Sequence, residues 1–312
     1  MAKEANTVAI VGHVRPDGDA VGSALAMQAA LEKNGKHVSV FFDGGVSDQF
    51  SYLEGFDKIM DTLPASRDFD LLIIVDMNAT DRIGEFECLT TTSTKIMCID
   101  HHIGNSVKGD LIISDTSYAS CGEMIYEFFV SNEIKITKQI ADALYTSVST
   151  DTGCFMYPCT TARSHRIAAE LMEIGCDVEQ INYINFRVFD RRFINGLKQI
   201  GHDLTFARDG KISLTRLKKS NSYCASERHK FKQYISDIKG VKISILIAED
   251  SENEFNVSLR SHGSVNVAAV AKEFGGGGHK HAAGFTIRGK YKKIARQIIK
   301  EVEKLLDENA TN

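Results

Sequence analysis

The segment TKIMCIDHHIGN, residues 94–105, decides how the first half of this 312-residue chain is read. Its opening residues form an apolar run of buried-strand length, which delivers Asp100, His101 and His102 to one point. An aspartate beside two imidazoles at a strand end is either metal-ligand chemistry or a chance group of turn residues, and the neighbouring strands decide between them. FDLLIIVD (69–76) is apolar enough to be buried on both faces and ends in Asp76. TVAIVG (7–12) is a third such run, followed by His13, Asp17 and Asp19 in HVRPDGD, and HVSVFF (37–42) is a fourth. Helical patterns run over 20–35, closed by Gly35, and over 121–132, 137–150 and 160–175. Strands this apolar, alternating with helices, predict an α/β fold with a mostly parallel five- or six-stranded sheet flanked by helices.

The second half reads differently. A helix over 187–201 is expected to connect two domains, 1–186 and 202–312. Strand patterns at 203–207, 211–217, 241–250 and 254–261 have hairpin-like spacing and predict a smaller α/β domain with a mixed sheet. Helices at 266–274 and 292–306 complete it.

Composition limits the function classes. No secretory signal begins the sequence, and no apolar stretch reaches the roughly 20 residues that span a bilayer. Seven cysteines without a C-x-x-C pair fit reduced thiols in a cytoplasm. Residues 1–186 hold 13 Lys and Arg against 27 Asp and Glu, and residues 187–312 hold 24 against 14. This asymmetry suggests an acidic half that holds cations and a basic half that holds anions, or opposite charges that help two domains dock. A binder of long nucleic acid would be basic throughout.

The carboxyl ends of parallel strands share one edge, where such sheets bind ligands. His13, Asp17, Asp19, Asp76, Asp100, His101 and His102 therefore meet there, and STDTGCF places Asp151 just past a helix. Pro16 and Gly18 predict a loop, with Asp17 and Asp19 aimed apart and the helix starting near Ala20, its free amides able to support a phosphate or to orient the loop. Asp17, Asp19, Asp76 and Asp151 bring four negative charges, enough to offset two divalent cations. Carboxylate and imidazole donors favour Mn²⁺ or a similar metal over a thiolate zinc site. Two such metals activate a water and clamp a phosphoryl oxygen, which is machinery for phosphoester hydrolysis. In the basic half, four glycines in GGGGH (275–279) permit close approaches and either an anion-binding nest or simply a tight connection. The stretch 216–233 is a basic run that forms a solvated face or attracts a nucleic-acid strand.

HVRPDGDAVGS, IIVDMNATDRIG, CIDHHIGN and TSVSTDTGCFMY together resemble, in order, the four motifs of the DHH phosphoesterase superfamily. SLRSHGSVNVAAVAKEFGGGGHKHAAGFTI (258–287) resembles the DHHA1 domain. The resemblance covers nearly the whole chain and is strongest to enzymes that degrade very short RNA and dephosphorylate pAp. It implies that His13 and Asp17 hold one metal, that Asp19, His101 and Asp151 hold another, and that Asp76 bridges them. It implies that His102 faces the substrate phosphate or the leaving oxygen and that Asp100 orients a histidine. Substrate contacts are implied for Asn105, Arg260, Ser261, Gly276, Gly277, Gly278 and His279, with two Mn²⁺ ions as cofactors and pairing of two copies through the first domain.

The expected activity is hydrolysis of short oligoribonucleotides, including pApA, together with removal of phosphate from pAp. A cyclic-di-AMP phosphodiesterase, a RecJ-like exonuclease and a catalytically silent nucleotide-binding protein are the alternatives. His281 departs from the family pattern beside the glycine run. Tyr223, Phe231 and Phe285 are the candidate base-stacking aromatics.

Overall fold

The computed structural model describes residues 1–63 and 67–310. They form two units, Met1–Val188 and the residues from Phe189 onward, each with its own sheet.

The first unit opens with β1 (Thr7–Val11), α1 (Gly18–Lys33), β2 (His37–Phe41) and β3 (Leu71–Val75). A short α2 (Leu89–Thr92) precedes β4 (Lys95–Asp100) and β5 (Leu111–Ser114). Then come α3 (Cys121–Ser131), α4 (Lys138–Asp151), α5 (Ala162–Glu173) and α6 (Val178–Asn182). The five strands pair in parallel in the order β2-β1-β3-β4-β5. Both faces are covered, as the apolar runs require. Val8 and Ile10 of β1 join a core with Leu25, Ile125 and Leu144, whereas Ala9 and Val11 join Phe41, Ile83 and Phe86. β5 was not anticipated. It is four residues long, at the sheet edge, with Leu111 and Ile112 exposed, so it lacks the buried apolar pattern of the others.

The strand order fixes where a site can form. From β1 the chain moves outward to β2, then returns across to β3, so the crevice beyond the carboxyl ends of β1 and β3 lies at the switch in direction. Val11 is level with Ile74, and Val75 with Ile99, so the residues that follow these strands start from the same height.

α1 starts at Gly18, earlier than expected, because the Asp17 carboxylate caps it by accepting from the amides of Asp19 and Ala20 at 3.1 and 3.2 Å. Those amides are therefore not open to a phosphate. α1 packs against α4 with its start beside the end of α4. A Cβ on Gly18 would meet Thr150, and one on Gly22 would fall 2.3 Å from the Ala143 carbonyl oxygen. This close approach brings Asp19 and Asp151 together from opposite helix ends. Gly22→Ala is expected to destabilise the fold by about 1–3 kcal/mol by forcing the helices apart, read as a lower thermal midpoint.

The second unit begins with α7 (Arg191–His202), four residues later than expected. Its Phe193, Gly196 and Ile200 are buried within this unit. Then follow β6 (Thr205–Ala207), β7 (Ile212–Leu217), α8 (Ala225–Ser236), β8 (Ile243–Ser251) and β9 (Glu254–Ser261). α9 (Val267–Glu273), β10 (Gly277–His279), β11 (Ala282–Arg288) and α10 (Tyr291–Ala310) close the unit. The sheet order is β10-β11-β9-β8-β7-β6; β7 and β8 are parallel and the other pairs antiparallel. α9 and α10 cover one face, and α7 and α8 the other.

The glycine run is not a free loop. Gly277–His279 form β10, paired with Ala282–Gly284, so the backbone there is a ladder and not an anion nest. Gly276 lacks room for a Cβ, which would sit 2.2 Å from the Gly284 oxygen, and Gly278 has φ +137°. At Gly277 a Cβ would meet nothing within 4 Å.

Candidate active site

Three strand ends and two helix ends supply the site. His13 follows β1 and is buried; its Nδ1–H donates to the Val14 carbonyl at 3.0 Å, which leaves Nε2 toward Asp17 and Asp76. His13 Nε2 lies 3.8 Å from Asp17 Oδ1 and 3.5 Å from Asp76 Oδ2. His101 Nε2 lies 3.5 Å from Asp19 Oδ2, 3.4 Å from Asp76 Oδ1 and 3.2 Å from Asp151 Oδ2. Asp17 and Asp19, two residues apart, thus face different partners.

Asp76 stands between them. It is buried, and its backbone is left-handed, with φ +55°. Such a conformation strains most side chains and is tolerated best by Asn and Asp. Among the described residues its enclosed Oδ1 has no hydrogen-bond donor, the His101 Nε2 at 3.4 Å being near but not hydrogen-bonded. An enclosed oxygen without a donor costs about 1–3 kcal/mol, and a cation at that position would remove the cost.

Two sets of three donors, His13–Asp17–Asp76 and Asp19–His101–Asp151, each have donor atoms within 4.8 Å of one another; Asp76–His101–His102 is a third. All are imidazole or carboxylate, a composition that suits Mn²⁺ and similar divalent ions. The residues present therefore fit divalent metals.

Asp100, fully buried at the end of β4, organises the adjacent loop. Its Oδ1 pairs with His102 Nδ1 at 2.8 Å, and its Oδ2 accepts from Asn105 Nδ2 at 2.8 Å. Asn105 Oδ1 in turn accepts from the Val107 amide at 2.9 Å. The side chain expected to contact phosphate is thus engaged inside its own loop.

The surroundings of Asp19 were not read from the sequence. Its carboxylate accepts from the amides of Cys121 and Gly122, at 2.7 and 3.2 Å, and from the hydroxyls of Ser23 and Ser147. It therefore anchors the start of α3. Ser120 caps that helix by accepting from the Glu123 amide at 3.2 Å, and the Glu123 carboxylate accepts from the Ala119 amide at 3.0 Å. Nothing local marks Asp19 as its neighbour, 102 residues away.

In the second unit, Arg260 is half-buried and His279 exposed. Ser261 is buried, and its hydroxyl donates to the Val265 carbonyl at 2.8 Å, so it serves the turn before α9. Two of the three aromatic candidates are core: Phe231 stacks on Phe193, and Phe285 on Phe274. Tyr223 packs edge-on against Phe231.

Without metal, the centre titrates in a defined direction. Burial by itself would lower the His13 pKa, but Asp17 and Asp76 outweigh it and raise it to about 10. His101 is also raised to about 10, as Asp76, Asp19 and Asp151 outweigh burial. Burial, then the Asp76 charge, raise Asp19 to about 7, and burial with the Asp19 and Asp76 charges raises Asp151. The stability from both histidines is complete below their ordinary value of 6.5 and is lost as pH rises toward 10. Asp19, raised from 3.8, also favours the fold less as pH rises toward 7. Asp76 is depressed, so its contribution changes only below its ordinary 3.8. The metal-free protein is therefore expected to lose thermal stability between pH 6 and pH 9. Mn²⁺ affinity is expected to rise over the same range, because both imidazoles must shed a proton to ligate. Melting curves and Mn²⁺ titrations across that range check both; parallel trends would contradict the linkage.

This sheet, with histidine and carboxylate donors at its switch point, defines a metal-dependent phosphoester hydrolase, and the chain belongs to the DHH family. Residues 7–148 match the DHH family N-terminal domain, and residues 226–308 match the DHHA1 domain. The chain is 30% identical to the probable bifunctional oligoribonuclease and PAP phosphatase NrnA of Streptococcus mutans, over 90% of each chain. It is 27% identical to the bifunctional oligoribonuclease and PAP phosphatase NrnA of Bacillus subtilis, again over 90% of each. The crystal structure of an exopolyphosphatase-related protein from Bacteroides fragilis aligns with a TM-score of 0.84 at 26% identity, covering 98% of this chain and 93% of that one. None of the described helices is long and apolar enough to cross a membrane.

Proposed function

We propose that this enzyme hydrolyses short oligoribonucleotides, down to dinucleotides such as pApA, to mononucleotides, and removes a phosphate from pAp. The observation that carries the reading is the pair of donor sets that meet at Asp76, whose enclosed Oδ1 has no hydrogen-bond donor among the described residues. The kinship to NrnA over 90% of both chains supports the substrate class. His13 and Asp17 would hold one divalent cation, Asp19, His101 and Asp151 a second, and Asp76 both; Mn²⁺ is the metal we favour. When bound, such a pair polarises phosphoryl oxygens and makes a water nucleophilic near neutral pH.

The protein groups then orient and protonate. Asp100 holds His102 by Nδ1, leaving Nε2 as the atom able to meet a phosphoryl or leaving oxygen. The hydrogen bond to Asp100 also raises the His102 pKa, so the ring keeps a proton to donate as the leaving oxygen gains charge. Asn105 keeps Asp100 from rotating. The thiols of Cys88, Cys98, Cys121, Cys154, Cys159 and Cys176, none of them in a disulfide, support work in a reducing cytoplasm.

The test is a substrate panel with Mn²⁺: pAp, pApA, a five-nucleotide RNA, long single-stranded DNA, cyclic di-AMP and pyrophosphate. Cleavage of pApA and the short RNA, loss of phosphate from pAp and sparing of long DNA are expected. Rapid opening of cyclic di-AMP alone would replace this reading with one in second-messenger turnover.

A further inference from the structure

The second unit carries a cluster of cations on the face of its sheet that α8 partly covers. Along β9, Phe255, Val257 and Leu259 point into the core beneath α9 and α10, so Ser258 and Arg260 lie on the opposite face. α8 packs on that opposite face. Arg228, Lys232 and Ser236 are four residues apart and share one side of α8. Ser236 Oγ lies 2.9 Å from His262 Nε2, just past the end of β9, so this side of the helix looks onto β9. One turn earlier, Lys232 comes within electrostatic reach of both Arg260 and Arg228.

Lys232 is unfavourably placed as it stands. Lys232 is half-buried and, among the described residues, has neither a hydrogen-bond acceptor nor a carboxylate partner. Burial first, then repulsion from Arg260 and Arg228, lowers its pKa to about 8. Among the described residues Arg228 has one acidic neighbour, Asp250, at 4.0 Å. By contrast, Arg216 and Lys218 of the same basic stretch are committed to Glu249 and Asp203. Packing alone does not call for a charge at position 232, since a methionine fills similar space. An anion would turn the repulsion into attraction.

The neighbouring surface has room for what such an anion would carry. Ser258, Gly284 and Gly277 form one row across β9, β11 and β10 on this same face. A Cβ on Gly277 would touch nothing within 4 Å. Small residues beside a set of cations make a low shelf on which a nucleoside can lie with its phosphate toward α8.

We propose that Arg228 and Lys232 join Arg260 in binding the terminal phosphomonoester of the substrate, and that Lys232 selects a phosphorylated end over an unphosphorylated one. The inference rests on the reading above that short nucleotides are the substrates. A terminal monoester carries close to two negative charges near neutral pH, against one for an internal diester, so three converging cations discriminate between them.

The test uses the full chain in EDTA, with AMP and adenosine as probes in calorimetric titrations. Lys232→Met is expected to weaken AMP binding about ten- to a hundredfold, to leave adenosine binding unchanged and to keep or raise the melting temperature. Lys232→Arg is expected to retain AMP binding. AMP should raise the melting temperature of the unmodified protein and not that of Lys232→Met. Equal AMP affinity in the two proteins, or AMP binding no tighter than adenosine in the unmodified one, would overturn the site. Loss of the fold in Lys232→Met would do so too, since the cation would then be structural. No turnover is measured, so failure of the substrate panel and failure of this site are separate results.

Discussion

Asp76→Asn is expected to lower turnover of pApA by at least about a thousandfold, since removing single electrostatic partners of a transition state already costs a hundred- to a thousandfold. Among the described residues Asp76 is the one carboxylate within 3.5 Å of the Nε2 atoms of both His13 and His101, so its loss depletes both donor sets at once. Asparagine is the right replacement because position 76 has φ +55°, which Asn tolerates and Ala does not. The melting temperature should therefore move little while bound Mn²⁺ falls. Turnover near that of the unmodified enzyme, with metal content intact, would remove Asp76 from its shared position.

The second large effect concerns Asp19, and it separates metal binding from folding. Asp19→Ala is expected to destabilise the protein by about 2–4 kcal/mol as well as abolish activity. Its carboxylate accepts from two amides at the start of α3 and from two buried hydroxyls, and buried donors left without an acceptor cost about 1–3 kcal/mol each. Relief of repulsion among Asp19, Asp76 and Asp151 offsets part of that sum. Asp19→Asn keeps an acceptor for α3 and should fold better than the alanine variant, yet remain inactive. Chemical denaturation alongside metal analysis checks this. An alanine variant as stable as the parent would show that the anchoring of α3 contributes nothing to the fold.

Much of the site was legible because the donor residues end apolar strands. In a parallel sheet all such ends share an edge, so residues as far apart as His13 and His101 could be placed together from pattern alone. The helix starting at Cys121 was legible too, through its helical pattern over 121–132. Other elements left weaker marks. β5 is a four-residue edge strand with two exposed apolar residues, and β10 and β11 are rich in Gly and Ala, so none shows a clear alternation. α8 was taken as a basic run because its charges mask the two core residues, Phe231 and Ile235, that seat it. Phe231 and Phe285 looked available for stacking because composition does not say which face of an element a ring occupies.

The sequence by itself determined the α/β class, the parallel sheet, the acidic and basic halves and the membership of the histidine–carboxylate set. These depend on residue type and short-range period, which every chain displays locally. Only the tertiary structure decided how each polar atom is used. It committed Asn105 to Asp100 and Ser261 to Val265, enclosed Asp76 Oδ1 without a donor among the described residues, tied Asp19 to α3, and left Lys232 among like charges. The physical reason is that hydrogen bonding and charge interactions depend on distances of a few ångströms between segments remote in sequence, and packing sets those distances.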